Sequence, residues 1–159
     1  MYQKEFIGVG CINSIKEIVK ETQAKKILLV TGRQSYIDCK AKIQLDKMLN
    51  NIYTEQFNQF KVNPKLEDIY TGVALLKKIK FDLVIAIGGG SVIDMAKIIN
   101  ILSVQKDSDL VRYINDNSFI KEKGLPLVAI PTTSGTGSEA THFSVVYMDN
   151  VKYSLAHRF

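Results

Sequence analysis

Two glycine- and hydroxyl-rich segments hold most of the residues that could bind a ligand. The first is Gly88-Gly89-Gly90-Ser91, which follows an apolar run and precedes a helical pattern. Glycine has no Cβ, so a ligand can approach the backbone closely there. A helix that begins at this point directs unpaired N–H groups and a partial positive charge at the same place. The pattern therefore predicts a phosphate site, and a tight turn without a ligand is the alternative.

The second segment is Pro131–Ala140, with the sequence PTTSGTGSEA. Its Thr132, Thr133 and Thr136 carry hydroxyl groups that can hydrogen-bond a phosphate, a ribose or an amide. A flexible polar loop is the alternative. Neither segment is the dinucleotide fingerprint G-x-G-x-x-G in its proper context. Ile93 stands where the first segment needs Gly or Ala, and a strand pattern follows the second.

Polar residues continue into the helix that follows the first segment. Ser91 and Asp94 are three positions apart, which predicts a capping box at the start of this helix. Ser91 could otherwise donate to a phosphate oxygen, and Asp94 could accept hydrogen bonds from a ribose or an amide. Lys97 is expected either to offset the charge of Asp94 or to remain solvated.

Catalytic side chains are not evident in the sequence. His142 and His157 belong to no cluster with metal-ligand spacing, and no H-E-x-x-H is present. The G-x-S-x-G of a nucleophile elbow and the P-loop are also missing. We predict structural or surface roles for both histidines, and we assign neither a catalytic residue nor a metal ligand.

Apolar runs predict the elements that position the two segments. Runs that do not alternate with polar residues indicate strands covered on both faces, as in a parallel sheet. Helical patterns lie between them, so the chain is predicted to be α/β, with an open, mostly parallel, Rossmann-like sheet and helices on both faces. The predicted strands are Ile27–Val30, Ile52–Phe57, Leu83–Ile87 and Leu127–Ile130, and Phe143–Met148 with Lys152–Leu155 reads as a β-hairpin added to that sheet.

Helix starts are predicted from capping patterns. Ser14 to Glu17 has the form of a capping box, and Asn63 followed by Pro64 suggests an N-cap and a first helical residue. A helix is expected from Ser91 to about Leu102, and a short one over 107–114.

Composition restricts the function classes. The 159 residues form one domain, 1–159, on the usual length prior. The net charge of +5 comes without a basic stripe, so a nucleic-acid partner is not expected, and mild attraction of an anion is the alternative to simple solubility. The absence of a signal peptide and of a membrane-spanning run, with two cysteines outside any framework, predicts a cytoplasmic protein and no membrane partner.

The pair GGGSVIDMAK and PTTSGTGSEA closely resembles motifs of the iron-containing (group III) alcohol dehydrogenases, which share a fold with dehydroquinate synthase. The resemblance covers the chain but only the family's N-terminal, cofactor-binding domain. It implies that Gly88, Gly89, Gly90 and Ser91 hold a pyrophosphate, with Asp94 in the same motif. It also implies that Thr132, Thr133 and Thr136 line the ribose and phosphate edge, that Lys152 reaches the nicotinamide-side ribose, and that Asn63 lies near the cofactor.

One departure from the family concerns the cofactor. NAD-preferring members place an acidic residue after the first strand, where this chain has Gly32 and Arg33. Gly32 removes a carboxylate that would repel a 2′-phosphate, and Arg33 could pair with one. The cofactor is therefore expected to be NADP(H) rather than NAD(H), although Arg33 could simply be solvated.

The other departure concerns catalysis. The family's ligands for Fe²⁺ or Zn²⁺ lie in a helical C-terminal domain that this chain lacks, so we expect it to be catalytically silent by itself. The complete enzyme would transfer hydride between nicotinamide and a small alcohol or aldehyde. The alternatives are a standalone nucleotide-binding module, and a non-binding remnant that acts through protein interaction, with self-association through an exposed cleft.

Overall fold

The four apolar runs form one parallel sheet. The computed structural model describes residues 3–157. In the sheet the strand order is β2-β1-β3-β4, and all three pairings are parallel, as the sequence predicts. The strands are β1 (Lys26–Thr31), β2 (Tyr53–Phe57), β3 (Leu83–Gly88) and β4 (Leu127–Pro131).

Helices cover both faces of this sheet, which confirms the predicted α/β architecture. Alternate residues of a strand point to opposite faces. Val84 of β3 accordingly packs against one helical layer, and its neighbour Ile85 packs against the other. The first layer holds α4 (Leu66–Lys78), α5 (Gly90–Ser103) and α6 (Leu110–Asn115), and the second holds α1 (Ile15–Thr22), α2 (Gln34–Asp38) and α3 (Ala41–Met48).

The last strand of the sheet departs from the prediction. Strands β1 and β3 are buried on both faces, but residues Leu127 to Ile130 of β4 are only half-buried. The reason is position, because β4 lies at an edge and has a strand neighbour on one side alone. The apolar run at Leu127–Ile130 thus correctly predicts a strand and wrongly predicts full coverage.

The C-terminal hairpin is present but does not extend the sheet. Strands β5 (Phe143–Met148) and β6 (Val151–Ala156) pair antiparallel as a separate two-stranded sheet. Both turn residues, Asp149 and Asn150, have positive φ, 49° and 63°, as a tight two-residue hairpin turn requires. The hairpin packs on α5, and a parallel bridge joins Lys65 to Tyr147 of β5.

One predicted helix start is correct in position but lacks its predicted cap, and two helices begin later than predicted. Ser14 ends a 3-10 turn, Cys11–Ser14, and its side chain caps nothing, so the capping box is not formed. Helix α4 begins at Leu66 rather than at Pro64, because Asn63 has a left-handed φ of 64°. Helix α6 begins at Leu110, where the Asp109 carboxylate accepts a hydrogen bond from the Arg112 amide.

Candidate functional site

Both glycine- and hydroxyl-rich segments lie at one edge of the sheet. The strands are parallel, so their carboxyl ends face the same side, where open α/β sheets bind ligands. The amide of Gly32 donates to the carbonyl of Ile87 at 3.3 Å, and the amide of Thr132 donates to the carbonyl of Gly88 at 3.0 Å. The loops after β1, β3 and β4 therefore meet around the start of α5.

The glycines at this edge allow the segment Pro131–Ala140, here called the threonine-rich loop, to pack against the start of α5. A Cβ on Gly89 would lie 3.0 Å from Thr133 Oγ1, and a Cβ on Gly90 would lie 3.2 Å from Thr136 Cβ. A Cβ on Gly88 would collide with Val92, at 2.5 Å from Cγ2. The backbone that bears the first N–H groups of α5 is thus bare of side chains where the loop approaches it.

Ser91 does not cap the helix, contrary to one of the predictions. Helix α5 begins at Gly90, and Gly89 is the residue before its first turn. The Oγ of Ser91 accepts a hydrogen bond from the Asn63 amide at 3.1 Å. This contact uses Ser91 as an acceptor, so its hydroxyl proton remains available to donate. It also places exposed Asn63 beside the start of α5.

The threonine-rich loop contains one buried hydroxyl group that has no protein partner. Thr132 Oγ1 is inaccessible to solvent and makes no hydrogen bond with the described residues. The Thr136 hydroxyl oxygen accepts from the Ser138 amide at 3.3 Å. A buried polar atom without a partner is costly, so Thr132 marks the point where a ligand group would find a hydrogen bond.

Asp94 and Lys97 are buried on α5 and contact the chain that leads into the hairpin. Asp94 Oδ2 accepts from the Val145 amide at 3.2 Å, and its carboxylate also bonds the Ser138 side chain. Lys97 Nζ donates to the Thr141 and Phe143 carbonyls at 2.6 and 3.1 Å. The predicted capping box of Asp94 with Ser91 is therefore wrong, and so is the solvated alternative for Lys97.

Burial shifts the proton affinities of both residues. Burial raises the pKa of the Asp94 carboxyl, against the opposing effects of the Val145 amide, the Ser138 side chain and the Lys97 and Lys152 charges. Burial lowers the pKa of the Lys97 ammonium, while the charges of Asp94 and Glu139 oppose this shift. Each charge is held in a partly desolvated region that its polar neighbours stabilise.

The residues after β1 lie beside the same edge. Arg33 is exposed, and its Nε donates to the Asn58 carbonyl at 3.2 Å, which leaves the terminal guanidinium nitrogens for another partner. A Cβ on Gly32 would lie 2.2 Å from Ser35 Oγ. Lys152 is exposed on β6, opposite Tyr147, and its charge acts on Asp94.

The two histidines lie near each other at the start of the hairpin. His142 is exposed and its ring lies 4.0 Å from that of Phe143, while the His157 amide donates to the His142 carbonyl. Over residues 3–157, no three side chains of His, Cys, Asp or Glu form a group that could hold a metal ion. Within the same range, no helix has the length and apolar character needed to cross a bilayer.

Sequence reasoning missed the part that three residues play in structuring this edge. Ser138 and Lys97 act on Asp94, while the charge of Glu139 acts on Lys97. Glu139 Oε2 is a further buried atom without a hydrogen-bond partner among the described residues. A signal was available in the sequence, because eight of the eleven residues from Val92 to Leu102 are apolar, and the structure buries all eleven. A charged residue inside such an apolar helix must have internal partners.

Comparisons with known proteins agree on one family. The family model described as iron-containing alcohol dehydrogenase matches residues 3–159. Long-chain-alcohol dehydrogenase 1 of Geobacillus thermodenitrificans is 34% identical over 96% of the chain, which spans only 39% of that relative. An iron-containing alcohol dehydrogenase of Thermotoga maritima superposes with a TM-score of 0.83, at 31% identity, over 93% of this chain and 41% of its own. NADH-dependent butanol dehydrogenase A of that organism gives 0.85, at 26% identity, over 99% and 41%.

Proposed function

Because the chain belongs to the iron-containing alcohol dehydrogenases, we propose that residues 1–159 form the dinucleotide-binding domain of such an enzyme. The cofactor lies across the carboxyl edge of the sheet, with its pyrophosphate at the start of α5. One observation carries the proposal. The bare backbone of Gly89 and Gly90 faces a loop in which the buried Thr132 hydroxyl has no hydrogen-bond partner among residues 3–157. A phosphate oxygen can accept from both.

Each site residue has a separate role in this proposal. The amides of Gly89, Gly90 and Ser91 donate to the pyrophosphate, and the Ser91 hydroxyl adds a donor that Asn63 leaves free. The threonine-rich loop lines the ribose and phosphate edge of the cofactor through Thr132, Thr133 and Thr136. Lys152 reaches the nicotinamide-side ribose. Asp94 contributes indirectly, because its carboxylate accepts from the Val145 amide and so holds β5 against α5.

The loop after β1 supports a preference for NADP(H). It has no acidic side chain at Gly32 that would bind an adenine ribose and repel a 2′-phosphate. Arg33 is exposed and is held through its Nε, so its terminal nitrogens are left to pair with a 2′-phosphate. A relative named for NADH dependence shares this fold, so NAD(H) is the competing cofactor.

The proposed reaction of the whole enzyme is hydride transfer between nicotinamide and a small alcohol or aldehyde. In such enzymes the metal, Fe²⁺ or Zn²⁺, supplies polarisation of the substrate oxygen. Residues 3–157 offer no cluster of ligands for that ion. For this chain by itself, which spans 39% of a relative, we propose cofactor binding without turnover.

A second candidate function is interaction through the cleft surface. Exposed apolar side chains lie around the hairpin and the segment that bridges to it: Val62 is 78% exposed, Val151 53% and Phe143 46%. Phe143 and Val151 stand at opposite ends of the hairpin, so they would contribute separate apolar contacts to self-association. Sedimentation velocity over a range of concentrations tests this candidate, and a concentration-independent monomer would remove it.

Thermal melting with NAD⁺, NADH, NADP⁺ and NADPH at millimolar concentration tests the main proposal. A ligand at 100 times its Kd adds about 2.7 kcal/mol to stability, which for a domain of this size raises Tm by several degrees. A larger shift for the phosphorylated pair supports the NADP(H) preference, and a larger shift for NAD(H) overturns it. No shift with any of the four would contradict binding by this chain.

A Gly90→Val variant is the matched control. Its side chain would press on Thr136 and Ser138, so the ligand-induced shift should disappear while the chain still unfolds cooperatively.

A further inference from the structure

We propose that Lys97 is a positioning residue that holds the threonine-rich loop over the start of α5, and this rests on the proposed cofactor site. Lys97 lies two turns into α5, counted from Gly90, and is 4% exposed. It is therefore set back from the carboxyl edge of the sheet, where the cofactor is proposed to bind. It reaches no cofactor atom in this assignment. It acts through the loop that carries Thr132, Thr133 and Thr136.

The contacts of Lys97 follow from the free edge of β5. Alternate residues of a strand direct their backbone groups to the same side. On the side away from β6, the Phe143 carbonyl accepts from Lys97, the Val145 amide donates to Asp94, and the Tyr147 amide donates to the Pro64 carbonyl. Two charged side chains of α5 and one carbonyl thus take the place of a neighbouring strand.

Lys97 also secures the chain before β5. Its second acceptor is the Thr141 carbonyl at 2.6 Å, just after the hydroxyl-rich segment. At its other end this loop is held by the Thr132 amide on Gly88. Between these anchors lie Gly135 and Gly137, whose φ values of 85° and 65° make the loop conformation dependent on glycine.

The anchor is strong because it is partly desolvated. A buried ammonium that donates to carbonyls has little competition from water, and such charge-assisted bonds exceed neutral ones. Glu139 belongs to the loop, and its negative charge favours the charged form of Lys97. Removing the ammonium would free the carboxyl-terminal end of the loop while leaving Gly88–Ser91 in place.

Hydrogen–deuterium exchange on the free 159-residue chain tests the anchor itself. A Lys97→Met variant keeps the length of the stem and removes the charge. We expect faster amide exchange over residues 133–145 than in the wild type, with exchange in α4 unchanged. Equal exchange over 133–145 would overturn the proposal, whether or not any cofactor binds.

Titration with a fragment of the cofactor separates positioning from general destabilisation. The adenine end with its 2′-phosphate is assigned to the Gly32–Arg33 side, and the pyrophosphate and the nicotinamide half are assigned to the start of α5, the loop and Lys152. Adenosine 2′-phosphate therefore probes a part of the site that the loop does not line. Lys97→Met should weaken NADPH binding about tenfold or more, the effect of losing charge-assisted bonds, and change the affinity for adenosine 2′-phosphate much less. Lys97→Arg, which retains donors, should recover part of the loss. Equal weakening of NADPH and adenosine 2′-phosphate, or no recovery, would overturn the positioning role.

Asn100→Leu is the matched control. Asn100 is also buried on α5, 2% exposed, but its amide pairs with both backbone groups of Leu125 at 2.9 Å. It should lower stability without a preferential loss of NADPH. Wild-type chain that binds neither NADPH nor adenosine 2′-phosphate, with exchange still sensitive to Lys97, would refute the proposed function and leave the anchor standing.

Discussion

The Asn63 amide donates to the Oγ of Ser91 at 3.1 Å, and Asn63 adopts a left-handed φ of 64° to do so. The next residue, Pro64, accepts from the Tyr147 amide at 2.8 Å. One short segment therefore joins the start of α5 to the hairpin. Asparagine tolerates this backbone region better than most residues. This tolerance explains why an asparagine stands at position 63, although it does not cap a helix.

Replacing Ser91 by alanine should affect both stability and binding. The Asn63 amide would lose its acceptor, at a cost of about 1 kcal/mol in the free energy of unfolding. Cofactor would also lose a hydroxyl donor, so the ligand-induced rise in Tm should shrink. Denaturant unfolding and melting with NADPH measure the two effects.

Ser103→Ala is the control for Ser91→Ala. Its Oγ donates to the Asn100 carbonyl at 2.8 Å at the other end of α5. A comparable stability loss with an unchanged response to NADPH is expected, and the same ligand response in both variants would argue against a role for Ser91 at the cofactor.

Gly72→Ala should destabilise the chain, although helix propensity alone predicts a gain of about 1 kcal/mol. Gly72 is buried in α4, and a Cβ there would lie 2.7 Å from Ile99 Cγ2 of α5. Overpacking of this kind costs about 1–3 kcal/mol. Denaturant unfolding gives the sign directly.

The Gly72 prediction has a double-mutant check. In an Ile99→Ala background the closest obstructing atoms are gone and Phe57 Cε1, at 3.1 Å, remains, so Gly72→Ala should cost less. Additive losses would show that the crossing of α4 and α5 does not require this glycine.

Gly32→Asp should reverse the cofactor preference. The new carboxylate would repel a 2′-phosphate and bind the ribose hydroxyl groups of NAD(H). The added side chain meets Ser35 Oγ, a hydroxyl that can rotate, and a Ser35→Ala background removes that obstacle. Melting with the four nucleotides measures the change, and a preserved order would refute the role of this position.

Asp94→Asn should alter the dependence of stability on pH. Burial raises the pKa of Asp94 above its ordinary 3.8, so the folded chain binds this proton more tightly than the unfolded chain. The contribution of Asp94 to the free energy of unfolding therefore falls as pH rises from about 4 through the folded pKa. Lys97 and Lys152 face the carboxylate, and their charges oppose the upward shift of its pKa.

The measurement is urea unfolding of both proteins between about pH 4 and pH 7. The stability of the wild type minus that of Asp94→Asn should decrease as pH rises. A constant difference would mean that Asp94 titrates alike in the folded and unfolded chains.

The central strands could be predicted from the sequence because a short, continuous apolar run is typical of a strand covered on both faces of a parallel sheet. Ile27–Val30 and Leu83–Ile87 are buried strands as predicted. The predicted side-chain caps are wrong for a different reason. Ser14, Asn63 and Ser91 each have the residue type of a cap, but a cap also depends on local backbone angles, and Asn63 and Ser91 instead bond each other across 28 positions.

The sequence predicts the glycine-rich and threonine-rich segments, but it does not predict the contacts that hold them in place. Lys97 bonds carbonyls 44 and 46 positions away, and backbone carbonyls carry no residue type that a pattern could match. The half-buried state of β4 depends likewise on its place at the edge of the sheet, which follows from topology rather than from Leu127–Ile130 themselves.

The bridge from Pro64 to Tyr147 bears on the order in which the chain acquires structure during synthesis. All four strands of the sheet have left the ribosome once Pro131 emerges, while the segment at 63–65 still lacks its partner strand. Contacts between distant parts of a chain form late because closing the intervening loop costs entropy. The carboxyl edge of the sheet would then be the last region to order, and a nascent chain that ends before β5 should have a formed sheet whose carboxyl edge is open to proteases.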